Sequence, residues 1–363
     1  MNNPILQPIN RFLSNPSLVA LVIFFGSIGA IFYFMGSWLV PLIISIAIAY
    51  LLEGVVYQLE RSGVRRILAV SVVFSAFCAG IFYILTEVVP TIIEQTKNLF
   101  IAIPTLIGQL QEKLLLLPKR FSSFFTVADV NGFISSLTAE ITNFSKTLFS
   151  TKLFSSLVFL ITILVYFVLV PLLVFFLLKD KKEILRWLGK FMPEKSQIIH
   201  EIWKEVDVQI GNYIRGKFSE ILIVWVLCLI PFYYFDLNYW LLLSFLVGLS
   251  VLIPYIGATL VTIPVLVVAY MQFGASSSFY WIITAYSIIQ IIDGNVFVPL
   301  IFSEAVNIHP VAIIIAVLIF GGLWGFWGIF FAIPLATVVK AVMEAWRRYQ
   351  QKGGDEGEAE TTA

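Results

Sequence analysis

Charge is what this sequence has least of. Only 12% of its 363 residues are Asp, Glu, Lys or Arg, against 60% hydrophobic, and its mean hydropathy is +0.95. So little charge cannot cover the surface of a soluble globule holding this much apolar side chain, so the chain belongs in lipid. What charge there is balances to a formal +1, without the excess that marks a nucleic-acid partner. Cysteine and histidine are scarce too. Cys78 and Cys228 sit inside apolar runs, where a thiol acts as a small hydrophobe, so neither a disulfide framework nor a metal cluster is predicted. His200 and His309 are the two histidines, and no GxSxG elbow or HExxH pair accompanies them. The chain therefore reads as a non-enzyme without a cofactor. Residues 211–218, GNYIRGKF, match the phosphate-cradling pattern as far as the lysine, yet Phe218 stands where a magnesium-binding Ser or Thr belongs. Nucleotide-driven pumping by this chain is disfavoured. A small-residue cleavage site is also missing after the first apolar run, which predicts a retained helix.

Long apolar runs are what the sequence has in plenty. A span needs roughly 17–25 mostly apolar residues, and runs that meet this fall at 18–34, 38–57, 67–89, 153–178, 218–235, 237–270, 279–302 and 311–339. The runs are continuous rather than alternating, and backbone groups in lipid must be satisfied within the segment, so helices are predicted and not barrel strands. The predicted fold is an all-α polytopic bundle of about eight spans. Arg61, Arg65 and Arg66 follow the second run, Lys179, Lys181, Lys182, Arg186 and Lys190 the fourth, and Lys340, Arg347 and Arg348 the eighth. Cytoplasmic loops retain positive charge, which predicts these three loops and both termini inside.

Two stretches are too polar to span. In 90–152, Val130, Ile134, Leu137, Ile141, Phe144 and Leu148 keep the 4, 3 spacing of a helical seam, predicting an extracytoplasmic amphipathic insert. In 179–217, Ile199, Trp203, Val206, Ile210 and Tyr213 do the same, predicting cytoplasmic amphipathic helices. Either seam serves for packing on the bundle or membrane surface, or for contact with another subunit. The division predicted is 1–89 for the first three spans, 90–152 for the insert, 153–178 for span four, 179–217 for the cytoplasmic helices, 218–340 for a core of four spans, and 341–363 for a tail ending in a disordered acidic stretch.

Candidate functional residues cluster in that core. Residues 252–257, LIPYIG, place Pro254, Tyr255 and Gly257 inside the sixth run, and Pro264 follows. Proline removes a backbone donor and glycine admits unusual dihedrals, so a broken helix is predicted, either an inert kink or an exposed binding element. In the seventh run Gln290, Asp293 and Asn295 precede Pro299. Asp293 lies roughly 21 Å along from Phe279 at about 1.5 Å per residue. A carboxylate at that depth costs about 2.5 to 3.5 kcal/mol, so it must face the bundle, be paired or be protonated. It handles substrate or protons, or it bonds two helices together. Beyond it lie Glu304 and His309, the latter either titrating or capping. Gly321, Gly325 and Gly328 form a smooth stripe for close helix packing. Glu53 and Glu220 read as interfacial and rank below Asp293.

The YIRG of 213–216, PYIG of 254–257, QIIDGNVFVP of 290–299, and His309-Pro310 with GGLWGFWG of 321–328, in this order, resemble the autoinducer-2 exporter family. The LLKD of 177–180 and the arrangement of spans and insert extend the resemblance over nearly the whole chain. It implies a bacterial inner-membrane exporter of small molecules that forms homo-oligomers, pentamers among them. It also implies sodium/proton or lithium/proton antiport as an alternative, since some relatives are antiporters. A third reading is a non-transporting scaffold acting through 90–152.

Overall fold

The computed structural model describes residues 16–114, scattered positions between 128 and 143, and residues 157–190, 197–254, 256–302, 309–340 and 343. Most of the 130–148 seam, Tyr255, Glu304 and the acidic tail lie outside them; of that seam, Ile134 is described and buried. Among the described residues there is no strand. Seven helices there are long and apolar enough to cross a membrane, and an eighth apolar helix is too short. The protein is an all-α, multi-pass membrane protein.

Helix α1, Pro16–Arg61, takes up both of the first two predicted spans in one unbroken stretch of 46 residues. Met35-Gly36-Ser37, the gap between those two predicted spans, contains no proline and no charge, so nothing there stops a helix that is apolar on either side. A tight turn leads to α2, Arg66–Tyr83, then a five-residue π turn at Ile84–Val88 and α3, Val89–Leu114. The predicted stop at Pro90 therefore does not occur. A proline lacks the N–H of its turn and its ring clashes with the carbonyl four residues back. The π turn relieves this, because Val89 N–H reaches back five residues to the Ile84 carbonyl. The same device recurs before Pro299, where Val298 N–H bonds the Asp293 carbonyl.

Helix α4, Leu157–Lys179, packs on α1 and α2 through Val56, Ala69, Val70, Val73, Val174 and Leu178. A short helix α5, Lys181–Gly189, follows after Asp180. Arg66 pairs with Glu53 at 3.1 Å and Glu60 at 2.9 Å and also donates to the Leu178 carbonyl, while Lys181 reaches Glu53 at 3.1 Å. Glu53 is thus a partly buried hub, and the α1–α2 turn and the α4–α5 exit lie on one face of the bundle.

Helix α6, Gln197–Tyr234, merges the predicted amphipathic segment and fifth span into one helix of 38 residues. The predicted sixth span is instead a hairpin. It consists of α7, Trp240–Ser250, and α8, Ile256–Phe273. Gln272, near the end of α8, accepts from Asn238 N–H at 2.7 Å and donates to the Asp236 carbonyl at 2.7 Å, so the chain has returned to where α7 began. With 11 residues, α7 rises only about 16 Å, half a hydrocarbon core. At its base, Leu242 N–H bonds Gln95 of α3 at 2.9 Å. Helix α9, Ser277–Ile292, starts beside that base and continues through the π turn Asp293–Phe297 into α10, Val298–Phe302.

The last predicted span also doubles back. Helix α11, Pro310–Phe330, is interrupted at Gly325, whose φ of 60° and ψ of −135° suit glycine alone. A Cβ on Gly328 would lie 1.8 Å from the Phe320 carbonyl oxygen, a contact that residues eight apart on a straight helix never make. Ala316 and Val317 accordingly pack against Ala332. The glycine stripe is thus the inside of a tight turn between two limbs.

The main core joins α6 (Val224, Cys228, Phe232), α7 (Leu243, Val247), α8 (Val265, Ala269) and α9 (Ile282, Tyr286, Ile289), with α6 contributing every fourth residue.

Candidate transport site

Helix α6 carries two charges where none is cheap. Lys217 and Glu220, three residues apart on one face, form an ion pair at 2.8 Å with side chains only 4% and 2% exposed. Glu220 lies roughly 21 Å from the end of α6 at about 1.5 Å per residue, within the thickness of a hydrocarbon core of about 30 Å, and the residue as a whole is only 1% exposed. Burial of this order costs several kcal/mol per ion, recovered only by close pairing. The third charge is Asp293, 8% exposed, at the head of the π turn. It lies within electrostatic reach of Lys217 and Glu220, and its Oδ1 is buried with no hydrogen-bond partner among the described residues. Two carboxylates share one ammonium.

Both hairpin tips meet α6 beside these charges. Gly248, near the first tip, sits so close that a Cβ there would come 2.9 Å from the Ile221 carbonyl oxygen and 2.7 Å from Trp225 Cβ. Within the tip, Pro254 lies in the link between α7 and α8, and a Cβ on Gly257 would lie 1.8 Å from the Ser250 carbonyl oxygen. The second tip is tied by the Tyr213 hydroxyl, which donates to the Phe330 carbonyl at 2.9 Å, and the two rings meet edge to face. Tyr213 is 2% exposed and stands one turn before Lys217.

Between α8 and α9 runs an open groove of about 540 Å³ lined by Ala258, Thr259, Thr262, Tyr286, Ser287 and Gln290. A directed hydrogen-bond chain crosses it. Gln290 Nε2 donates to Tyr286 at 3.1 Å, Tyr286 and Thr262 hydroxyls meet at 2.6 Å, and Thr262 donates to the Ala258 carbonyl at 2.7 Å. Because the one Thr262 proton goes to Ala258, Tyr286 is the donor to Thr262. The chain ends on a carbonyl in the first turn of α8, one residue from Gly257.

The family model for AI-2E family transporters matches residues 18–348. The chain belongs to the AI-2E family. Among family relatives, it is 44% identical over 343 residues to PerM of Escherichia coli K12, a candidate permease, covering 94% of this chain and 97% of that one. It is 30% identical over 308 residues to YrrI of Bacillus subtilis 168, a candidate transport protein, covering 84% and 85%. It is 22% identical over 322 residues to the AI-2 transport protein TqsA of Escherichia coli K12, covering 86% and 87%.

Of the residues singled out in sequence, Pro254, Gly257, Gln290 and Asp293 fall within this site. Asn295 is exposed and donates to the Ile291 carbonyl at 2.8 Å, and Pro299 is exposed on α10. His309 is exposed, and its Nδ1 accepts from Val311 N–H at 3.3 Å, capping α11. Gly321, Gly325 and Gly328 shape the second hairpin. Sequence reasoning gave no site role to Lys217, Thr262 and Tyr286, read Tyr213 only as part of a helical seam and of the YIRG match, and placed Glu220 at an interface. The available signal was the YIRGKFSE run of 213–220, where an i, i+3 ion pair begins one turn after a tyrosine.

Proposed function

We propose that this family member is a secondary transporter of a bacterial inner membrane that exports a small polar molecule of the autoinducer-2 kind. In this reading Asp293 is the group at which a proton or cation exchanges for cargo. The observation that carries it is the buried Lys217–Glu220–Asp293 cluster, where one ammonium serves two carboxylates. An uncompensated carboxylate at this depth is stable only with a proton or a cation, and exchange between such occupants is how a site couples to an ion gradient. The groove with its Gln290–Tyr286–Thr262 chain offers hydroxyl and amide groups to an uncharged, hydroxylated cargo. The TqsA relative bears the name of an AI-2 transport protein.

Alternating access falls to the second hairpin. The first shares the main core with α6 and α9, whereas the cluster of Ala316, Val317 and Ala332 with Phe320, Ile329 and Ala336 lies within the second hairpin itself. A unit with its own small core, held over the charges at Tyr213, swings more readily than one embedded in the bundle.

A second reading, sodium/proton or lithium/proton antiport, is favoured by the same uncompensated carboxylate. Acid-loaded proteoliposomes separate the two. Proton release on adding sodium or lithium, without solute, establishes antiport. Accumulation of autoinducer-2 in inside-out vesicles, lost when the proton gradient is collapsed, establishes coupled export. Absence of both signals from active preparations contradicts a secondary transporter.

A further inference from the structure

We propose that α5 is a docking surface for the anionic phospholipid headgroups of the leaflet that α4 exits. The argument starts from position. Only Asp180 separates α5 from the end of the apolar α4, so α5 is held at the level where a spanning helix leaves the hydrocarbon. Its nine residues, KKEILRWLG, then sort themselves by face. At about 100° per residue, Ile184, Leu185, Trp187 and Leu188 fall on one arc, and Lys182 and Arg186, with Lys190 just beyond, fall four apart on the opposite one. The same arc carries Lys181, which reaches Glu53 at 3.1 Å, and the half-buried Ile184, so it borders the bundle, and beyond that edge Leu185 is 42%, Trp187 57% and Leu188 39% exposed.

The charges are equally sorted. Lys181 is turned inward onto Glu53 at 3.1 Å, and Lys179 lies beside Asp180 at 3.7 Å and over the Phe176 ring at 5.7 Å. Lys182, Arg186 and Lys190 are exposed, and among the described residues none of them forms an ion pair. Over 179–190 five cations, Lys179, Lys181, Lys182, Arg186 and Lys190, stand against Asp180 and Glu183. A tryptophan and leucines reaching the acyl boundary, with a row of three cations above them, form the pattern that anionic headgroups complement. A zwitterionic layer satisfies the apolar arc and leaves the row unmatched. The Lys181–Glu53–Arg66 contacts fix this helix to the bundle, so the surface is presented ready-formed.

Native mass spectrometry of the purified full chain, given phosphatidylglycerol or phosphatidylcholine in turn, tests this. The native chain is expected to retain phosphatidylglycerol in clear excess. In the K182Q/R186Q/K190Q variant the phosphatidylglycerol affinity should fall on the order of a hundredfold, with phosphatidylcholine retention unchanged. An R61Q/R65Q variant, altering exposed cations of the neighbouring turn, should keep the excess. Equal retention of the two lipids by the native chain overturns the proposal. So does a K182Q/R186Q/K190Q variant with the native excess, or an R61Q/R65Q variant that loses as much. None of these readouts depends on transport, so failure here leaves the transporter reading standing.

Discussion

Lys217 is the residue on which the site's electrostatics turn. Replacing it with methionine leaves Glu220 and Asp293 buried without a cation, and breaking one partner of such a pair costs about 3 to 5 kcal/mol. The K217M/E220L pair removes the charge mismatch within α6, so it is expected to unfold at a higher temperature than K217M alone, read by thermal denaturation in detergent. Gly257→Ala should be worse tolerated than either, since its Cβ would fall 1.8 Å from backbone oxygen that cannot move without opening the hairpin. Loss of folded yield in size-exclusion chromatography checks this. At this scale the inward place of Asp293 was legible because a carboxylate amid an apolar run is held either by a protein partner or by a pathway, and both put it inside the bundle. Glu220 and Lys217 were not. They stand where a polar stretch meets an apolar one, the usual place for interfacial charge, and only the continuity of α6 carries them inward.

The elements show which signals were ambiguous. Pro254 and Gly257 announced a break, but the residues of two short helices are the same whether the chain goes on or turns back. The return is visible only in Gln272 meeting Asp236 and Asn238. Gly321, Gly325 and Gly328 have the 4, 3 spacing of a packing stripe, yet small residues at that spacing equally line a sharp turn, and a positive φ cannot be read from spacing. Pro90 ended the third span on paper because the π turn that absorbs a proline leaves no composition signature. If the second hairpin is the gate, its tether sets how readily it opens. Tyr213→Phe keeps the ring contact with Phe330 and loses the hydrogen bond, worth about 0.5 to 1.5 kcal/mol. The expected result is faster proteolysis or cysteine labelling at the tip with thermal stability little changed. Unchanged labelling separates the tether from gating.

In the whole molecule, two departures from the predicted path cancel. From the Arg61–Arg66 turn onward, each of the sixth and eighth predicted spans returns to the face it entered, so residue 340 stays on the side of that turn, as straight spans from there would leave it, while α1, one 46-residue helix in place of two predicted spans, removes a crossing ahead of the turn. The segment between them does not. Straight spans put His309 opposite the Arg61–Arg66 turn, whereas the hairpins put both on one side, and the first hairpin enters from the face opposite to the second. A His309→Cys variant, with Cys78 and Cys228 replaced, should be labelled from the same side as a cysteine at Arg61. Helical content and the positions of the apolar runs were open to sequence reasoning because they follow from local composition. Chain direction was not, because it depends on contacts between segments far apart.

The central claim is that Asp293 is where transport couples to an ion. Flux of autoinducer-2, and of sodium or lithium against protons, measured in proteoliposomes for the native chain and Asp293→Asn, tests it most directly. The account predicts that the variant, folded and reconstituted equally, loses gradient-driven flux by at least an order of magnitude. Native flux in that variant, with the same dependence on the proton gradient, contradicts it.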